Sequence, residues 1–98
     1  MLKTVDLIDM AKKRHGDVTD YRIGKLLGID PSKISTYRHT ASKPGNPIAM
    51  RLGELAGVDP LEAVALVNLE RATAPEEREV WEAILERLSH AKKGRKAS

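Results

Sequence analysis

The chain of 98 residues contains no cysteine and no phenylalanine, and its only aromatic side chains are one tryptophan and two tyrosines. Without cysteine there is no disulfide, no thiolate metal site and no thiol nucleophile, which fits a reducing cytoplasm. Because aromatics are so few, the core must be built mainly from Leu, Ile, Val and Ala. A chain of this length forms one domain with a modest core, which leaves no room for a large enzyme cleft.

The sequence also lacks targeting segments, a metal-binding pattern and catalytic motifs. The longest apolar run is far below the ~18 residues of a membrane span, and the start at Met1–Thr4 lacks the apolar core of a signal peptide. His15, His39 and His90 are too scattered for a metal site. There is no nucleophile elbow and no Gly-rich phosphate loop. We therefore expect no enzyme activity, no metal, no cofactor and no membrane partner.

Charge is distributed unevenly along the chain. Residues 1–45 carry nine Lys/Arg and five Asp, residues 46–91 carry four Arg and nine Asp/Glu, and residues 92–98 add four basic side chains. The amino-terminal half suits a polyanion and the middle does not, although an ordinary solvated surface can have the same balance. We predict that the basic tail, 92–98, is disordered. It is either a passive end or an arm that contacts DNA.

Proline and glycine divide the chain into six predicted helices. Four X-Pro pairs each precede an apolar-periodic segment, and in three of them the Asp or Asn before Pro is predicted to cap the first turn, whereas Ala74 is a poor cap. Gly16 and Gly28 end two further segments in the position of a left-handed closing residue. No run alternates with period two, so no strand is predicted. The pattern indicates an all-α, compact five- or six-helix bundle, with helices over residues 4–15, 20–27, 31–39, 47–56, 60–71 and 75–91.

The segment from Asp20 to Arg38, DYRIGKLLGIDPSKISTYR, carries the functional signal. A small residue lies where two helices would cross, a glycine permits a sharp turn, and five apolar residues point inward. All have the spacing of a helix-turn-helix motif, which an ordinary helical hairpin would not require. These positions are Ile23, Gly24, Leu27, Gly28, Ile29, Ile34 and Tyr37.

Two stretches resemble a known family. LGIDPSKISTYR (27–38) resembles the turn and recognition helix of the Cro and phage-repressor (XRE-like) helix-turn-helix regulators. IAMRLGELAGVDP (48–60) resembles the next helix of many short prophage regulators. The resemblance covers roughly residues 1–70. It departs at Gly24, where Ala is commoner, and at His39-Thr40, where Gly often ends the recognition helix.

The resemblance implies a lambda-repressor-like DNA-binding head in residues 1–58, followed by carboxyl-terminal helices in 59–91. It implies a cytoplasmic, nucleoid-associated transcriptional repressor of phage or prophage type that regulates its own or a neighbouring operon. The partner would be operator DNA. An antitoxin or other small autoregulator that also binds a protein is the first alternative. A protein-interaction module that has lost DNA binding is the second.

In this family the second helix of the motif docks in the major groove. Lys33 can donate to guanine, and Ser32 and Thr36 can hydrogen-bond either way. No Gln, Asn or Arg begins the helix, so part of the specificity would come from DNA shape. The residues predicted to contact bases are Pro31, Ser32, Lys33, Ser35 and Thr36.

Polar and basic side chains around this helix are predicted to contact phosphates, which fix the register on DNA. Tyr37 is expected mainly in the core, with only its hydroxyl available, and Asp20 would have to point away from the DNA. The predicted phosphate-contacting residues are Thr19, Tyr21, Arg22, Tyr37, Arg38, His39, Ser42 and Lys43.

The last predicted helix has an apolar face, with residues at three- and four-residue spacings. One recognition helix buries too little surface to select an operator, so we expect a homodimer. The apolar face is the predicted interface, and folding back onto the chain's own helices is the alternative. Trp81 is either a core anchor or an interface residue. The predicted interface residues are Val80, Trp81, Ile84, Leu85 and Leu88.

Overall fold

Six helices make up most of the chain in the computed structural model, which describes residues 1–97, and side chains as far as residue 91. No strand occurs within residues 1–97. The predicted all-α fold is therefore confirmed. The helices are α1 (Thr4–Arg14), α2 (Asp20–Leu27), α3 (Ser32–His39), α4 (Asn46–Ala56), α5 (Pro60–Arg71) and α6 (Pro75–Ala97).

Several helix ends follow the predicted chemistry. Gly16 and Gly28 have φ angles of 83° and 74°, the left-handed conformation that closes a helix without a Cβ penalty. At the start of α5 the Asp59 carboxylate accepts a hydrogen bond from the Leu61 backbone N–H at 2.9 Å, so Asp59 caps the first turn as predicted.

Two helix starts differ by one residue from the prediction. Pro31 precedes α3, which begins at Ser32, because Asp30 already accepts the Ser32 backbone N–H at 2.9 Å. At α4 the residue before the helix is Gly45. Asn46, predicted as the cap, is the first helical residue, and its side chain accepts a hydrogen bond from Asn68 Nδ2 at 2.9 Å.

Helix α6 continues into the tail that was predicted to be disordered, as far as Ala97, and the disorder of residues 92–98 stays a prediction. Residues 86–97 are mostly Glu, Arg, Leu, Ala and Lys, which favour helix, and only Gly94 strongly opposes it. The side chains from Lys92 onward, and with them the question of an arm on DNA, lie outside the described residues.

One core joins α1 through α5. Its largest fully buried members include three side chains predicted to point inward, Ile23, Leu27 and Ile34, together with Leu7, Ile8 and Leu52. Ala63, Leu66 and Val67 of α5 belong to the same cluster. The predicted boundary after residue 58 therefore does not separate two packing units, because α5 completes the core of the preceding helices.

A glycine that the sequence analysis did not single out permits this packing. A Cβ built on Gly53 of α4 would lie 2.6 Å from the Cβ of Ala63 on α5. The two helices thus approach more closely than any larger residue at position 53 would allow.

Among the contacts of the described residues, the last helix packs on α5 and on no other helix. The Arg78 guanidinium donates hydrogen bonds to the carbonyls of Leu69 and Ala72, at 3.0 and 3.3 Å, and so closes the end of α5. Within the described residues, none of the helices has the length and apolar character needed to cross a membrane.

Candidate nucleic-acid interface

Helices α2 and α3 meet at a close contact between Gly24 and Pro31. A Cβ on Gly24 would lie 2.7 Å from the Pro31 Cα, which is the close approach predicted from the small residue. Pro31 is half-buried there. Pro31 therefore packs α3 on α2, and its contact with a base stays a prediction.

The orientation of α3 is set by its two inward side chains. Ile34 is fully buried and Tyr37 is 7% exposed, and burial raises the pKa of the Tyr37 phenol above its ordinary value. Tyr37 is thus a core residue, as the sequence favoured, and its predicted phosphate contact is not supported by this burial. The opposite face of α3 is exposed and carries Ser32, Lys33, Ser35, Thr36 and His39.

One of these exposed side chains, Ser32, is hydrogen-bonded to Asp30, the residue that caps α3. The hydroxyl of Ser32 donates to Asp30 Oδ1 at 2.9 Å, in addition to the Ser32 backbone N–H. The backbone and hydroxyl donors of Ser32 together lower the pKa of Asp30 below its ordinary value. With its hydrogen used, Ser32 can only accept from a base. Lys33 remains the one cationic donor on the exposed face of α3.

The Arg38 guanidinium, predicted to contact phosphate, is instead engaged within the protein. It donates to both carboxylate oxygens of Asp20 at 2.9 Å and to Asp9 at 2.8 Å, and its side chain is only 18% exposed. Lys12 lies 3.1 Å from the same Asp20. This network ties α1, α2 and α3 together, and the phosphate contact of Arg38, which stays a prediction, would have to compete with it.

The network also explains the presence of Asp20 at the start of α2, where a negative charge would repel DNA phosphates. The hydrogen bond from Arg38 lowers the pKa of Asp20, against the opposing effect of burial, and Lys12 adds to the lowering. Its charge is therefore neutralised by two cations. Asp9 and Lys12 were not identified from the sequence, because their contact with Asp20 and Arg38 depends on how three helices pack.

We expect Arg38→Met to destabilise the fold by about 1–2 kcal/mol at pH 7, because it removes three charge-assisted hydrogen bonds from a partly exposed site. The pKa of Asp20 is lower in the folded state, so this stabilisation is present above its ordinary value of 3.8 and is lost as pH falls below it. Urea unfolding at pH 7 and pH 3 measures both effects. Arg22→Met, at an exposed position on α2, is the matched control, and equal stability of the two variants at pH 7 would refute the network's role.

Lys43 is also engaged within the protein rather than available to phosphate. Its Nζ donates to the Tyr37 carbonyl at 2.6 Å and lies 3.6 Å from Glu70, with the side chain 10% exposed. Burial alone would raise the pKa of Glu70, but hydrogen bonds from Thr4 and the charge of Lys43 lower it. Lys43 thus joins the end of α3 to α5, and its phosphate contact, which stays a prediction, would have to replace these interactions.

The remaining predicted phosphate contacts lie on the surface beside α3. Tyr21 is 61% exposed, Arg22, His39 and Ser42 are exposed, and Thr19 caps α2 by accepting the Arg22 backbone N–H at 3.2 Å. Lys25 is a further exposed cation among them that was not predicted from the sequence. Lys25 has its Nζ 5.5 Å from the centre of the Tyr21 ring, and its exposed place on α2 could have suggested it.

The predicted dimer residues divide into two groups. Leu85 packs against the core, and Trp81, Ile84 and Leu88 are half-buried, while Val80 is 56% exposed. The face is thus partly covered by the chain's own helices and partly open. The described side chains include no cluster of three or more His, Asp or Glu that could hold a metal ion.

Comparisons with protein-family models, with curated proteins and with solved structures found no match to this chain.

Proposed function

We propose that this protein binds double-stranded DNA sequence-specifically, with α3 in the major groove, and that it acts as a homodimeric transcriptional repressor. The observation that carries the proposal is the exposed face of α3. Short polar side chains and one lysine point outward there, while Ile34 and Tyr37 hold the helix against the core. Two side chains of this face make hydrogen bonds within the chain. The Ser32 hydroxyl donates to Asp30, and the Thr36 hydroxyl makes a long contact to the Ser32 carbonyl at 3.5 Å.

The dimensions of α3 suit a groove. An α-helix with its side chains is about 10–12 Å across, which matches the ~12 Å width of the major groove. A short helix with small side chains lets its backbone approach the base edges. Lys33 would donate to guanine, and the Ser35 and Thr36 hydroxyls would either donate or accept.

The electrostatics of the surrounding surface support the same partner. Arg22, Lys25 and Lys33 are exposed cations on α2 and α3. The nearby acids are engaged, since Asp20 is paired with Arg38 and Lys12, and Asp30 caps α3. Neutralisation of DNA phosphates releases counterions and supplies much of the affinity. The revised phosphate-contacting set is Thr19, Tyr21, Arg22, Lys25, His39 and Ser42.

Repression follows if the dimer occupies a promoter and excludes the polymerase. Two copies would present two α3 helices to half-sites about 34 Å apart, one turn of DNA. The second copy is required because a single module of this size buries too little surface for operator selectivity.

Lys33→Ala should weaken binding to the preferred DNA site by about 1–3 kcal/mol, because one base contact is lost. The melting temperature should be unchanged, since Lys33 is exposed. Titration of a fluorescent duplex by anisotropy measures the first effect and circular dichroism the second. Lys3→Ala removes the same charge at an exposed position beside α5 and is the control. If Lys33→Ala weakens preferred and random DNA equally, Lys33 contacts phosphate and the base assignment is wrong.

A further inference from the structure

One side of α6 is left uncovered by α5. Leu85 packs against the core, while Val80, Ile84 and Leu88 follow one another at four-residue intervals along an adjacent row. Val80 is 56% exposed, and Ile84 and Leu88 are half-buried. These three residues are called the α6 strip below.

The charges of α6 are segregated along its length. Residues 75–86 contain five Glu and one Arg, whereas residues 87–97 contain five Lys/Arg and no acid. One half of the helix is therefore strongly acidic and the other half strongly basic. The change of sign falls within the α6 strip, between Ile84 and Leu88.

We propose that the α6 strip binds the α6 strip of a second copy, with the two helices antiparallel. A two-fold contact is self-complementary, so an antiparallel pair places the acidic half of each helix along the basic half of the other. A parallel pair would place five Glu beside five Glu. The proposal rests on the homodimer of the proposed function and gives it an orientation.

The helical repeat defines the register of this pair. Positions 77 and 95 are 18 residues, or five turns, apart, so they lie on one face of α6. Their midpoint is position 86, which is also the midpoint of Ile84 and Leu88. In an antiparallel pair centred there, position 77 lies opposite position 95 of the second copy, an acid opposite a base. Ile84 lies opposite Leu88 of the second copy, an apolar contact at the axis.

Disulfide trapping tests the orientation without DNA, in a chain that has no cysteine of its own. The double variant Ile84→Cys/Leu88→Cys should form a covalent dimer on mild oxidation. Val80→Cys alone should not, because its two copies would be about 18 Å apart along the axis, far beyond the ~4–7 Å between Cα atoms that a disulfide allows. Glu86→Cys, on the opposite face at the same level, is the control.

The two ways of failing are distinguishable. A covalent Val80→Cys dimer would show a parallel pair and would overturn the orientation alone. If sedimentation shows the wild-type chain to be monomeric at all concentrations, the homodimer of the proposed function fails as well. A dimer that neither cysteine variant traps would place the interface elsewhere and would also overturn the proposal.

Charge reversal supplies an independent test by sedimentation. Glu77→Arg alone and Arg95→Glu alone should each raise the dimer dissociation constant about tenfold, since each creates two repulsive pairs per dimer. The combined variant should restore wild-type affinity, because the pairs are remade with opposite signs. Glu86→Arg, on the outer face, should have little effect. Failure of the combined variant to recover would overturn the proposed register.

Discussion

Gly24→Leu should lower the melting temperature by roughly 12–24 °C, which corresponds to about 3 kcal/mol for a domain of this size. The physical reason is the 2.7 Å between a Cβ at this position and the Pro31 Cα. Pro31 is backbone at the start of α3 and cannot move aside as a flexible side chain would, so overpacking separates α3 from α2. The gain of about 1 kcal/mol in helix propensity from replacing glycine is too small to compensate.

The neighbouring variant Lys25→Leu is the matched control for thermal unfolding. It adds the same side chain to α2 at an exposed position, and Lys and Leu have nearly equal helix propensities. We expect its stability to change by less than about 0.5 kcal/mol. A Gly24→Leu variant that melts like wild type would contradict the close crossing of α2 and α3.

Ile84→Asp should convert the dimer to a monomer and reduce operator affinity by about 100-fold or more. Each new carboxylate would be buried against Leu88 of the second copy in the α6 pair, and desolvation of unpaired charge is strongly unfavourable. A monomer contacts one half-site, so most of the difference between specific and non-specific affinity is lost. Light scattering measures the oligomeric state. Trp81, the only tryptophan, is half-buried on the same helix, and its fluorescence provides a second signal for the change from dimer to monomer.

Ala83→Asp adds the same charge one residue earlier, at an exposed position away from the α6 strip, and should leave both dimer and affinity unchanged. A point substitution is preferable to removal of α6, because α6 packs on α5 and its loss would uncover that helix. An Ile84→Asp chain that remains dimeric would exclude the α6 strip as the interface.

The helices could be predicted closely because their ends are determined by local chemistry. Gly16, Gly28 and Asp59 act on their own backbone neighbours, so their effect is visible in a few consecutive residues. The contribution of α5 to the core could not be predicted in the same way. It depends on Gly53 of α4 meeting Ala63 of α5, two small residues whose contact no periodicity reveals.

In the candidate site, too, the features set by local spacing could be predicted and those set by tertiary packing could not. The exposed and buried faces of α3 followed from Ile34 and Tyr37, whose burial agrees with the spacing. The carboxylate partners of Arg38 and Lys43 could not be predicted, because a basic residue beside α3 is equally suited to a phosphate and to a carboxylate of its own chain. Only the packing of α1, α2 and α5 around α3 brings Asp9, Asp20 and Glu70 close enough to engage them.

The central claim, sequence-specific binding to DNA, is tested most directly by selecting the purified full-length protein against a library of random duplexes and then titrating the enriched site over a range of salt concentrations. The account predicts an enriched sequence with two-fold symmetry and half-sites about one helical turn apart. It also predicts that the logarithm of the association constant falls linearly with the logarithm of salt, with a slope of about −0.9 for each phosphate contacted. No enriched sequence together with a flat salt dependence would contradict it.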